Sequence, residues 1–141
     1  ILSGLVGSEM CIRDSPQAQP VPGTVIWLFE SSVWFFNADA FRRRAREVIE
    51  QAGDATWFVL DAEAMTQADA DAIEALYELR RELRDRGMVL LVAGGHGQFR
   101  MALDRSGLAD RIGRDKIFAS PEQAVEAIER WRQGPAPDTL S

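Results

Sequence analysis

Apolar and polar positions follow two regimes along this chain. Continuous apolar runs at Trp57 to Leu60 (WFVL) and Met88 to Ala93 (MVLLVA) alternate with stretches where apolar residues recur every three or four positions. The first kind suits strands covered on both faces, as in a parallel sheet, and the second suits helices with one buried stripe. Thr24 to Glu30 is β-branched and aromatic and predicts a leading strand. Val33 to Phe36 follows Ser31 and Ser32, so a short antiparallel pair with that strand is expected. Asn37 then stands as the cap of a helix with Phe41, Ala45, Val48, Ile49 and Ala52 inward, stopped by Gly53.

Asp69 to Arg86 predicts the longest helix, with Ile73, Leu76, Leu79 and Leu83 buried and Glu82 paired to Arg86 across one turn. Gly94 to Gly97 forms a tight loop. Gln98 to Ser106 is expected to be a short helix, ended by Gly107 and Leu108 in a Schellman arrangement, and Lys116 to Phe118 a third covered strand. Ser120-Pro121-Glu122-Gln123 is a capping box with proline at the first helical position, opening a helix that buries Val125, Ile128 and Trp131. The predicted order is β-β-α-β-α-β-α-β-α, an α/β fold whose mostly parallel sheet of about four to five strands packs against helices.

The flanks read differently. Ile1 to Ser15 (ILSGLVGSEMCIRDS) has no initiating Met, basic region or long apolar core, so it is not a signal peptide. It reads as a non-native leader derived from sequencing adapter. Pro16 to Pro22 is a proline-rich linker, residues 23–133 make one domain, and residues 134–141 form a second proline-rich tail, expected to be disordered.

With 141 residues, 46% of them hydrophobic, there is chain for one core. Cys11 has no partner, which excludes a disulfide scaffold. No apolar run approaches the ~20 residues of a spanning helix, so no membrane insertion by these residues is expected. Acids outnumber bases by 22 to 16, for a net charge of -6, which disfavours nucleic acid as a partner.

The charge is unevenly placed. Between Arg46 and Arg80 stand nine acids and no base, and four of them, Asp61, Glu63, Asp69 and Asp71, surround the connection into the longest helix. Ligands of α/β sheets bind at the carboxyl ends of strands, so this is a candidate cation or phosphorylation site. Helix capping by the Thr66-x-x-Asp69 pattern with a solvated acidic loop is the competing reading. A receiver domain would need paired acids after the first strand; Phe29-Glu30-Ser31 has none. Gly94-Gly95-His96-Gly97 precedes a helix and is a candidate phosphate or nucleotide loop, but lacks the Lys-Ser/Thr ending of a P-loop and is equally explained as a turn needing positive φ. His96 has no nucleophile to serve, and no metal or cofactor is called for. Arg42, Arg43, Arg44 and Arg46 are the one basic block, either a solvated face or a contact for an anionic surface. Trp34, Phe35 and Phe36 cannot all point inward from one strand, which leaves an aromatic for a partner.

Taken in order, Pro22-Gly23-Thr24-Val25-Ile26, Phe35-Phe36-Asn37-Ala38, Val59-Leu60-Asp61 and Asp69 to Leu76 running into Leu79-x-x-Glu82-Leu83-x-x-Arg86-Gly87 resemble a STAS domain. The Phe-Phe-Asn-Ala segment, Leu103 to Leu108 and Ile117-Phe118 resemble in particular the C-terminal domain of sulfate permease (SulP) family anion transporters. The resemblance implies a SpoIIAA-like fold and a non-catalytic regulatory domain on the cytoplasmic side of the membrane. Its implied partners are the permease membrane domain, another STAS copy or a cytosolic regulatory protein. In the related anti-sigma-factor antagonists a phosphorylated Ser follows the Asp that opens the long helix. Here Ala70 follows Asp69, which argues against a free-standing phospho-switch, the alternative reading. The expected contact surface is Asp61, Thr66, Asp69, Ala70, Asp71 and Glu74.

Overall fold

The computed structural model describes residues 21–33 and 36–134. The leader, most of the linker, Trp34, Phe35 and the tail from residue 135 lie outside the described residues.

Four strands, β1 (Thr24–Leu28), β2 (Trp57–Asp61), β3 (Val89–Ala93) and β4 (Ile117–Phe118), form one parallel sheet in the order β1-β2-β3-β4. Thr24 pairs with Trp57 and Trp57 with Val89, so the first three strands start level. All residues of β2 and β3 are buried, as unbroken apolar runs require. The helices are α1 (Ala38–Ala52), α2 (Ala70–Asp85), α3 (Gln98–Arg105), α4 (Leu108–Ile112) and α5 (Pro121–Gln133), with a 3-10 turn at Arg114–Lys116.

Adjacent strand residues point to opposite faces. Phe58 reaches Trp27, which packs on Phe41 of α1 at a ring separation of 5.1 Å; its neighbour Trp57 packs on Trp131 of α5 at 5.4 Å. The sheet is therefore covered by α1 on one face and by α5 on the other. The Trp27 indole N–H, buried in this aromatic layer, meets no acceptor among the described residues.

Several details depart from the pattern-based expectation. Val33 does not begin an antiparallel partner for β1; it makes a single parallel bridge to Ala68, because Ser32 ties this segment to the loop after β2. Asn37 precedes α1, but its side chain makes no cap and donates to the Ser32 carbonyl at 3.0 Å. Gly107 has the expected positive φ, 81°. The Leu108 amide, however, goes to Ser106 Oγ at 3.3 Å, and a new short helix, α4, starts there. A full Schellman closure lies instead at the end of α2, where Gly87 donates to Arg84 and Met88 to Leu83. Finally, β4 is half-buried rather than covered, as suits a two-residue edge strand.

Candidate functional site

The carboxyl ends of β1, β2 and β3 bring three segments together: Phe29 to Val33, Asp61 to Asp69, and Gly94 to Gln98. The expected acidic loop and the expected glycine loop are thus neighbours in one surface, which their separation in the chain does not reveal.

Ser32 organises it. Its buried hydroxyl oxygen accepts the amides of Thr66 at 3.0 Å and Gln67 at 3.4 Å, and lies 3.3 Å from Thr66 Oγ1. The Thr66 carbonyl in turn accepts the Phe99 amide at 3.2 Å, linking the acidic loop to the start of α3. No sequence motif singled out Ser32; only the closeness of the three strand ends gives it this role.

Asp61 is wholly buried, and its Oδ1 accepts the Glu63 amide at 3.1 Å. An aspartate that bonds its own backbone two residues on shapes a turn. Asp69 is the N-cap of α2, with Oδ1 accepting the Ala72 amide at 2.9 Å. The Thr66-x-x-Asp69 pattern would make Thr66 the cap; instead Asp69 itself caps α2, and Thr66 lies in the loop before it, held by Ser32. Thr66, Ala70, Asp71 and Glu74 are exposed around it. Asp71 occupies the first turn, where the helix dipole favours an anion. Glu74 Oε1 stands 4.0 Å from Arg42 of α1, whose principal partners are Glu78 at 2.6 Å and Asp39 at 3.1 Å. Those contacts, led by the Glu78 hydrogen bond, raise the Arg42 guanidinium above its ordinary pKa.

In the glycine loop, the Gly94 amide donates to the Phe118 carbonyl and its carbonyl accepts from Arg100 Nε, both at 3.0 Å. Arg100 also donates to the Phe118 carbonyl at 2.7 Å, so its guanidinium closes the loop against β4. Gly95 has φ +84°, and a Cβ there would fall 2.4 Å from the Phe99 ring. The two glycines let the backbone lie flat against Glu63 and Phe99. That is packing chemistry, and it leaves His96 and Gly97 as the loop's exposed part. Among the described residues no group of His, Cys, Asp and Glu side chains is arranged to hold a metal ion.

A four-stranded parallel sheet with helices on both faces defines a small α/β domain. The STAS domain model matches residues 15–124, and the chain belongs to the STAS domain family. It is 42% identical over 120 residues to the probable sulfate transporter Rv1739c of Mycobacterium tuberculosis, a match that takes in 84% of this chain and 21% of that protein. Sulfate transporter 3.1 of Arabidopsis thaliana is 25% identical over 139 residues, covering 89% of this chain and 21% of its own length. The chain thus spans about a fifth of the length of these curated relatives. Among solved structures, a sulfate transporter family protein from Wolinella succinogenes superposes with a TM-score of 0.72 at 24% identity, over 86% of this chain and 98% of that one. The SulP transporter STAS domain from Vibrio cholerae gives 0.67 at 19% identity, over 83% and 90%. Phosphorylated SpoIIAA of Bacillus shares the fold at a TM-score of 0.55 and 18% identity, over 75% and 91%.

Proposed function

We propose that this chain is the regulatory, non-catalytic domain of a SulP-type anion permease, held on the cytoplasmic side beside the membrane domain. One observation carries the reading: 42% identity with a probable sulfate transporter of which the chain matches 21%. No helix among the described residues is long and apolar enough to cross a membrane, so transport belongs to the rest of such a protein.

The contact surface is the exposed rim of the α2 start. Asp71 and Glu74 supply standing negative charge, Asp69 holds the first turn in shape, and Thr66 and Ala70 leave its approach open. At position 70 there is a methyl group and no hydroxyl, so the surface needs no kinase to be anionic. A partner offering Arg or Lys would bind it with a strength that falls as salt screens the charges.

The test is sulfate uptake by the full-length parent protein carrying Asp71→Asn together with Glu74→Gln, alongside pull-down with the isolated domain. Altered uptake and salt-sensitive loss of a partner are the expected results. A folded variant with unchanged uptake and unchanged partners would move the functional surface elsewhere. The coding sequence upstream of residue 16 tests the parentage: a series of membrane helices is expected there, and a start codon adjoining the domain would make it free-standing.

A further inference from the structure

The cations that stand together in the sequence are largely matched in the fold. Arg42 is held by Glu78 and Asp39, Arg44 pairs with Glu47 at 2.8 Å, and Arg46 lies 3.9 Å from Glu82. A different group gathers at the opposite end of the sheet, around the start of β3. Arg80 and Arg84 lie one turn apart on α2, Arg111 lies near the end of α4, and Lys116 closes the 3-10 turn. Arg80, Arg84 and Lys116 line one cleft with Met88, Val89, Leu90 and Ile112.

Among the described residues no ion pair joins Arg80, Arg84 or Arg111 to a carboxylate. Lys116 is buried, and its Nζ donates to the Ile112 carbonyl at 3.4 Å, with Asp115 as the acid beside it. Burial lowers the Arg80 guanidinium, and the charges of Arg84 and Arg111 lower it further. A chain of net charge -6 has acids to spare for such a cluster, yet among the described residues none pairs with these arginines. Like charges left facing one another cost folding energy, which an external anion would offset.

The shape decides between kinds of anion. The cleft encloses about 10 Å³, room for one water and not for a phosphate. Arg84 and Arg111 are exposed and Arg80 is half-buried, so the cations face outward rather than into an enclosed site. The chain preceding β1 enters at this same end: the Gly23 carbonyl accepts the Thr56 and Trp57 amides, and the Thr56 carbonyl accepts the Val89 amide at 2.8 Å. Arg132 of α5 is also there, 3.3 Å from where a Gly23 Cβ would stand.

We propose that this end of the sheet is a docking face for an anionic lipid surface, with Arg80, Arg84 and Arg111, backed by Lys116, lying against the phosphodiester headgroups. The inference rests on the permease reading for the presence of a membrane next to the incoming chain. It requires no insertion, only electrostatic contact between the basic side chains and the headgroups.

Vesicle co-sedimentation of the 141-residue chain tests it. Binding is expected to vesicles of equal phosphatidylglycerol and phosphatidylcholine at low salt, to be absent with phosphatidylcholine alone, and to vanish at about 0.5 M salt as the Debye length shortens. The triple variant Arg80→Gln, Arg84→Gln, Arg111→Gln should lose at least tenfold in partitioning. Arg43→Gln, on the exposed face of α1, should stay within twofold of wild type. Because Arg80 is half-buried, Arg84→Gln with Arg111→Gln provides a second variant that leaves the interior alone; at least a fivefold loss is expected. Equal binding to both lipids, or a folded double variant that partitions like wild type, overturns the proposal. Saturable binding of inorganic phosphate without vesicle binding overturns it too, in favour of a free-anion site. An upstream sequence without membrane helices would sink the permease reading whatever the vesicles do, so the two failures are distinct.

Discussion

The Ser32 hydroxyl accepts the Thr66 amide at 3.0 Å across 34 residues of chain, fastening the segment after β1 to the loop after β2. The loop in turn holds the start of α3 through the Thr66 carbonyl. One buried hydroxyl thus links the segment after β1 to the loop that leads into α2 and, through that loop, to the start of α3.

Ser32→Ala should therefore destabilise the domain although it removes a single oxygen. It leaves the part-buried Thr66 and Gln67 amides without their acceptor, and losing such a hydrogen bond costs about 0.5–1.5 kcal/mol. A thermal melt followed by circular dichroism should fall by several degrees. Ser32→Thr, which keeps the oxygen, should recover part of the loss. An Ala variant that melts with wild type would show that water replaces the hydroxyl at no cost.

The glycine loop supplies a contrast between neighbours. At Gly95 a Cβ would meet the Phe99 ring at 2.4 Å, whereas at Gly97 nothing lies within 4 Å. Both have positive φ, and Gly97 at ψ -114° lies outside the left-handed helical well, so both alanine variants carry backbone strain of about 1–3 kcal/mol. Gly95→Ala adds a clash of the overpacking kind, about 1–3 kcal/mol more. Urea denaturation should rank Gly95→Ala well below Gly97→Ala. Equal midpoints would mean that Phe99 yields freely and the loop is not a packing device.

At the start of α2, two adjacent carboxylates have separable roles. Asp69 accepts the Ala72 amide, and Asp69→Ala should cost about 1 kcal/mol as a lost N-cap. Asp71 is exposed, and Asp71→Asn should change stability by no more than about 0.5 kcal/mol. The partner-binding assay should show the reverse order if Asp71 carries the contact. Thermal melts and pull-downs on the same two variants check both halves.

Lys116 makes stability depend on alkaline pH. Burial holds its ammonium below the ordinary value of 10.5, with Asp115 opposing the shift and Arg80 adding to it. In the window between the depressed folded value and 10.5 the unfolded chain binds more protons, so this residue's contribution to stability rises with pH there. Lys116→Met should accordingly raise the melting temperature at neutral pH, with the advantage shrinking as pH climbs toward 10.5. An advantage constant across that range would show that Lys116 titrates normally.

Much of the architecture is written in local pattern. The apolar runs of β2 and β3, the stripe Leu76, Leu79, Leu83, the Ser120 cap of α5, whose Gln123 side chain turns back to the Ala119 amide rather than to Ser120's, and the stop at Gly87 each depend on residues within a turn or two of one another. Periodicity and cap chemistry are local properties, so they place these elements without knowledge of neighbours. The start of α2 is legible only to within a turn: the Thr66-x-x-Asp69 pattern points to Thr66, whereas Asp69 accepts the Ala72 amide and is the cap.

What local pattern does not contain is who meets whom across the sheet. Val33 bridges to Ala68 instead of folding back on β1, and the Asn37 side chain turns to Ser32 instead of capping α1, because packed strand ends offer partners no linear window includes. The same holds for charge. Adjacent arginines on α1 find acids on α2, one helix away, while Arg80, Arg84, Arg111 and Lys116 acquire a common face only when α4 and the 3-10 turn close beside β3. Electrostatic partnership falls off over a few ångströms of space, and three-dimensional closeness, not order along the chain, assigns it.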